Sequence, residues 1–158
     1  DRVGRKTTIA SFRQHGERME DTVPWLRSHC QMFYVEDSDG REVWQEPSFQ
    51  CVHAGLHNGS ISENDAYTML HDHEITLRNH YEGPLTVVGH IALDRPTWFR
   101  GDRETRKLLA LGEWLPLPRR GTICIDTGCG KGGTLTGMIL EGNRAEGYRF
   151  RLENVPET

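Results

Sequence analysis

The spacing of apolar and polar residues divides the chain into short elements. Thr122 to Thr127, Thr134 to Leu140 and Gly147 to Val155 are rich in β-branched and large apolar residues and predict three closing strands, with Glu141 to Glu146 as the last turn. Phe49 to about His53 and Leu85 to Val88 predict two shorter strands, the first running into a loop at Gly55 and the second ending in Gly89-His90. Gln31 to Glu36 and Glu42 to Glu46 flank Asp37-Ser38-Asp39-Gly40, a polar turn closed by glycine, and predict a hairpin.

Helical signals lie between these runs. Thr7 or Thr8 precedes Ile9, Ala10 and Phe12 and predicts a capped helix through about His15. A second helix is expected from Asp21 or Thr22 toward Cys30, with Pro24 in its first turn. Ser60, Ser62 and Glu63 open a third over Asp65 to about Leu70, extending toward Leu77, and Gly83-Pro84 stops it. Asp102 to Leu111 reads as a polar helical run ended by GEWLPLPRRG, and residues 94–121 are expected to form an irregular insertion or flap. This mixture of helices and strands predicts an α/β (α+β) protein.

Composition narrows the class. With 158 residues the chain is within the usual size of one domain, expected here over 1–158. Apolar residues make up 35% and charged ones 27%, and no run approaches the roughly eighteen apolar residues of a membrane span, so no membrane partner is expected. The opening DRVGRKTTIASFRQHG lacks the apolar core of a secretory signal and does not begin with methionine, which points to a trimmed chain. A net charge of −4 with scattered basic residues argues against nucleic acid; Arg2, Arg5, Lys6, Arg13 and Arg119-Arg120 read as solvated charge. Cys30, Cys51, Cys124 and Cys129 lack CxxC spacing, and the first three lie in or beside apolar segments, as reduced thiols of a cytoplasmic protein would.

The most conspicuous loop is Gly128-Cys129-Gly130-Lys131-Gly132-Gly133. A phosphate-cradling P-loop needs G-x-x-x-x-G-K-[ST] and leads into a helix. Here Lys131 is followed by glycine, the preceding glycine is too close, and Thr134 to Leu140 favours a strand. Strand, loop, strand is the expected order.

Two histidines close apolar strands, in Phe49-Gln50-Cys51-Val52-His53-Ala54-Gly55 and in Thr86-Val87-Val88-Gly89-His90. A strand end is a rigid platform, and the small neighbours leave room for an ion beside the backbone. Neutral imidazole suits zinc, manganese, iron or nickel. FQCVHAGL, VVGH and ICIDTGCGKGGTLTGMIL, in that order, resemble the second half of the calcineurin-like metallophosphoesterases, in the branch of bacterial serine/threonine protein phosphatases and diadenosine tetraphosphatases. Thr8 to Phe12, and Trp25-Leu26 followed by Phe33 to Glu36, are weaker marks of the same resemblance.

The resemblance implies a carboxy-terminal half of a four-layer α/β/β/α fold, a mixed β-sheet with flanking helices. It implies His53 and His90 as metal ligands, and in the complete family a dinuclear site of manganese, iron or zinc that activates water against a phosphoryl group. The implied substrate is a phosphoester, a phosphoprotein or a dinucleoside polyphosphate. Asp126 is expected to pair locally beside the site rather than to bind metal.

The family's G-D-x-H-G, G-D-x-x-D-R-G and G-N-H-E motifs do not occur in their places. Gly101-Asp102 lies after both histidines, and Asn79-His80 falls between them. Catalytic residues therefore stay unassigned, and the chain alone is expected to be weak or inactive, with a homodimer or the missing amino-terminal half as its partner. Two further departures are Met69-Leu70-His71-Asp72-His73, where relatives carry a tryptophan-x-arginine element, and Ile91 in place of a threonine after G-H. Two alternatives stand beside this reading. One is a non-catalytic partner-binding or self-associating fragment. The other is a mononuclear metal-binding protein using His53, His57, His71, Asp72, His73 and His80, although a solvated helix face explains His71 and His73 more simply.

Overall fold

The computed structural model describes residues 5–30, 33–35, 48–57, 59, 61–78 and 80–155. The chain divides into two compact units, Asp1–Gln31 and Met32–Thr158. The first holds helices α1 (Arg5–Gln14) and α2 (Met19–His29). Both begin about two residues before the expected start, so Thr7 and Thr8 lie inside α1 rather than at its cap. Glu20 and Asp21 sit in the first turn of α2, where acidic groups favour the helix dipole, and the Cys30 amide closes the helix by donating to the Leu26 carbonyl at 2.7 Å. Cys30 is exposed, unlike the expected buried thiol.

The second unit contains a six-stranded mixed sheet in the order β1-β2-β3-β7-β4-β5. Its strands are β1 (Phe33–Val35), β2 (Gln50–Val52), β3 (Thr86–Val88), β4 (Thr97–Phe99), β5 (Arg106–Leu108) and β7 (Thr122–Cys124). The middle three, β2, β3 and β7, are parallel, and the flanking pairs are antiparallel. A separate antiparallel sheet joins β6 (Leu115–Pro116), β9 (Gly147–Val155) and β8 (Leu135–Asn143) in the order β6-β9-β8. On the expected hairpin, β1 pairs with β2, while residues 36–47 lie outside the described residues.

Because successive strand side chains point to opposite faces, the six-stranded sheet serves two cores. Val87 and Ile123 join Leu85 on the face toward Phe150 and Leu152 of the three-stranded sheet. Val52, Val88 and Cys124 face the other way, onto Met69 of α3 (Ala66–His71) and Ile75 of α4 (Glu74–Leu77). Each fully buried side chain of this size contributes about 1.5–3 kcal/mol. This unit is thus a mixed α and β structure of three layers: short helices, a mixed sheet and an antiparallel sheet.

Two expectations are corrected. Residues 94–121 are not an irregular flap, and Asp102 to Leu111 is not helical: these residues supply β4, β5 and β6, with Thr97, Phe99 and Leu109 buried. The hairpin is set by Asp102, whose carboxylate accepts from the Glu104 and Thr105 amides at 3.0 and 2.6 Å and turns the chain back onto β4. The helix expected over Asp65 to about Leu70 is α3, and instead of extending to Leu77 it gives way at Asp72 to a second short helix, α4. Asp65, rather than Ser60, Ser62 or Glu63, caps α3, accepting from the Thr68 amide at 2.8 Å.

The glycine-rich loop joins strand to strand. Gly128 and Gly132 take left-handed conformations (φ 77° and 86°) around a short 3-10 turn, Cys129–Lys131. The amides of Lys131 and Gly133 both donate to the Gly128 carbonyl, at 2.7 and 2.9 Å. Those two donors are spent inside the loop, the reverse of an anion cradle.

Candidate metal centre

The three parallel strands β2, β3 and β7 end in His53, Gly89-His90 and Ile125-Asp126. In open α/β sheets the crevice outside the carboxyl ends of parallel strands is where ligands are bound. Backbone hydrogen bonds continue past the strands and hold these ends in register. The Gly89 amide donates to the His53 carbonyl at 2.8 Å, the Ile125 amide to Val88 at 3.0 Å, and the Leu93 amide to Asp126 at 3.0 Å.

The consequence is that the two histidines meet. Their ring centroids lie 5.2 Å apart, with planes inclined at 69°. His90 has φ 68°, in the left-handed region that a histidine seldom occupies, and the Ile91 amide donates to the Gly89 carbonyl at 2.8 Å across it. This is a tight γ-turn centred on His90, a strained geometry of the kind that collects at functional sites. The Cys124 thiol, buried under the turn, donates to the Ile91 carbonyl at 3.3 Å. Burial pushes that thiol up to about 11, so it remains a donor at neutral pH.

No family model, no curated protein and no solved structure matches the chain.

Burial, followed by the neighbouring His53, His73 and His71, holds His90 below the usual histidine range, and Asp126 opposes that shift. The neutral imidazole that a metal ligand requires is thus the favoured form. The Asp126 carboxylate accepts from the Gly128 amide at 2.8 Å, the local pairing expected of it. The histidine-rich stretch after β2 does not assemble a separate site. His57 Nε2 lies 2.7 Å from Asp72, His71 packs against Tyr67 with centroids 4.7 Å apart, and His80 is exposed.

Of the remaining histidines, His73 comes near His90. It lies at the start of α4 with its ring centroid 6.0 Å from that of His90. The break at Asp72 puts it there. The Asp72 carboxylate accepts from the Glu74 amide at 2.7 Å while its other oxygen holds His57. Gly55 lets the loop after β2 approach this break, since a Cβ there would stand 2.6 Å from the Asp72 carbonyl oxygen. The Asp72-His73-Glu74 sequence, a capping residue two positions before an acidic helix start, is the signal that marks the break.

As they stand, no three His, Cys, Asp or Glu side chains among the described residues are arranged to hold a metal ion. The donor chemistry of His53 and His90 suits a borderline divalent ion, but two imidazoles alone do not complete a dinuclear centre. No hydrolytic step is derived through such a centre.

Proposed function

We propose that this chain is the carboxy-terminal half of a calcineurin-like metallophosphoesterase, a metal-dependent phosphoester hydrolase of the four-layer α/β/β/α kind, weak or inactive by itself. The observation that carries the reading is the meeting of His53 and His90, centroids 5.2 Å apart, at the carboxyl ends of adjacent parallel strands, with His90 in a strained turn. The order of V-H-A-G, G-H and I-D-T-G along the chain supports it, as does the stacking of helices, mixed sheet and antiparallel sheet. In this reading His53 and His90 are ligands of one of two ions, manganese, iron or zinc, and the substrate is a phosphoprotein or a dinucleoside polyphosphate. The cell compartment proposed is the cytoplasm; among the described residues no helix is long and apolar enough to cross a membrane.

The coding frame immediately upstream of Asp1 tests the reading. G-D-x-H-G and G-N-H-E in frame are expected, and a long upstream frame lacking both overturns it. Hydrolysis of a generic aryl phosphate by the purified 158 residues, with and without manganese, is expected to be negligible. Substantial turnover overturns the claim that essential groups come from the other half.

A second reading, a self-associating or partner-binding fragment, draws on β8. This nine-residue strand is an edge of its sheet among the described residues, with Leu135 and Ile139 exposed. Sedimentation of the purified chain tests it: a concentration-dependent dimer abolished by Ile139→Lys is expected, and a monomer at all concentrations overturns self-association through this edge.

A further inference from the structure

We propose that two copies of this chain pair through β8, antiparallel and centred on Ile139, so that their three-stranded sheets join into one sheet of six strands. The inference deepens the second reading above, self-association, and rests on it rather than on the phosphoesterase assignment.

A sheet edge recruits another strand unless a proline, a charge or mere shortness discourages pairing. Three of the four sheet edges among the described residues carry such a guard. Strand β5 presents Arg106 and Lys107, β6 is two residues long with Pro116 in it and Pro118 just after, and β1 has three residues. Strand β8 differs. Its nine residues include no proline, lysine or arginine, and its single charge, Glu141, is matched by Arg149 of the adjoining β9, with Nη2 donating to Oε2 at 2.6 Å.

The order of residues along β8 favours a second copy over a foreign strand. The approach to the strand is already engaged, since Thr127 bridges Thr134 and its hydroxyl lies 2.6 Å from that of Thr136. Beyond it the pattern is symmetric about Ile139: Met138-Ile139-Leu140 is an apolar triplet flanked by Gly137 and Glu141. Antiparallel pairing centred there sets Ile139 against Ile139, Met138 against Leu140 and Gly137 against Glu141. The Ile139 pair lies on the outer face, where Ile139 is exposed. Met138 and Leu140 point to the opposite face, where both are half-buried against the core between the sheets, and the second strand extends that packing across the two-fold axis. No like charges meet, because the two Glu141 positions stand about 14 Å apart along the strands. Parallel pairing in register would place them side by side.

Spin-label distances test the register in a chain with Cys30, Cys51 and Cys129 replaced by serine and Cys124 left buried. Gly137→Cys and Glu141→Cys are labelled singly; a Cβ at Gly137 would meet nothing within 4 Å, and Glu141 is exposed. Each position is expected to lie about 14 Å from its counterpart, equally for both because they flank the axis symmetrically. Mixing the two labelled chains is expected to add a pair only about 5 Å apart at the backbone. Hydrogen exchange of the unlabelled chain gives a second readout, with the amides of Gly137 to Glu141 expected to exchange more slowly as concentration rises.

A dimer whose two spacings differ, or both fall to about 5 Å, overturns the inference and leaves self-association standing. A dimer with exchange at Gly137 to Glu141 independent of concentration does the same. A chain that is folded by circular dichroism yet monomeric at every concentration overturns the inference and that reading together, while the upstream frame still decides the phosphoesterase reading.

Discussion

The thiol of Cys124 lies 3.3 Å from the carbonyl oxygen of Ile91, the residue that closes the tight turn at His90. A buried side chain at the end of β7 thereby braces the exit of β3. Burial raises the thiol from its ordinary 9.0 to about 11. The folded chain holds this proton to higher pH than the unfolded chain does. Its contribution is therefore fully present below pH 9 and lost as pH rises toward 11, on the order of 2–3 kcal/mol across that window. Urea midpoints measured across the window are expected to fall more steeply for the unaltered chain than for Cys124→Ala.

The left-handed backbone at His90 carries its own test. An L-residue there costs about 1 kcal/mol relative to glycine. His90→Gly is expected to unfold at higher denaturant than His90→Ala, although both lack the imidazole. Equal midpoints would show that the turn stores no strain.

Gly55 and Gly130 are expected to respond in opposite ways. A Cβ on Gly55 would stand 2.5 Å from Ile75 Cγ2 and 2.6 Å from the Asp72 carbonyl, whereas one on Gly130 would meet nothing within 4 Å. Gly55→Ala should cost about 1–3 kcal/mol through overpacking. Gly130→Ala should change stability by no more than about 0.5 kcal/mol in either direction. Urea denaturation of the two variants side by side checks both.

Asp72 and His57 form a pair whose halves are unequal. Asp72 is mostly shielded and also receives the Glu74 amide, while His57 is well exposed. Asp72→Ala is expected to cost about 1–2 kcal/mol, because it removes a helix-start acceptor along with the pair. His57→Ala should cost under about 1 kcal/mol, as exposed pairs do. A larger effect from His57 in thermal unfolding would reverse this ranking.

Where a segment's own pattern determined its structure, the sequence was readable. Strand β9 runs from Gly147 to Val155 as its alternation predicts, with Phe150 and Leu152 turned into the core. His53 and His90 were legible as a pair because each closes an apolar run in a parallel strand. Segment β5 was not legible, since all three of its residues are exposed and its strand character comes from pairing with β4. His73 was hidden for a related reason. It lies past the expected end of the helix near Leu70, where the Asp72 carboxylate accepts from the Glu74 amide at the start of α4 and His73 comes near His90. The cysteines divided similarly: Cys124 is buried as its strand predicts, while Cys30, at the end of a helix with no buried residue, is exposed.

The loop from Gly128 to Gly133 has a practical consequence. Its left-handed glycines and inward-turned amides give it a shape of its own, while Cys129 and Lys131 project into solvent. Cys129 is thus a natural attachment point for a spectroscopic probe, three residues from Asp126 on a turn that supports it. With Cys30 and the half-buried Cys51 replaced by serine and Cys124 shielded by burial, a fluorophore there would test whether an ion arrives at the strand ends without touching the imidazoles of His53 and His90.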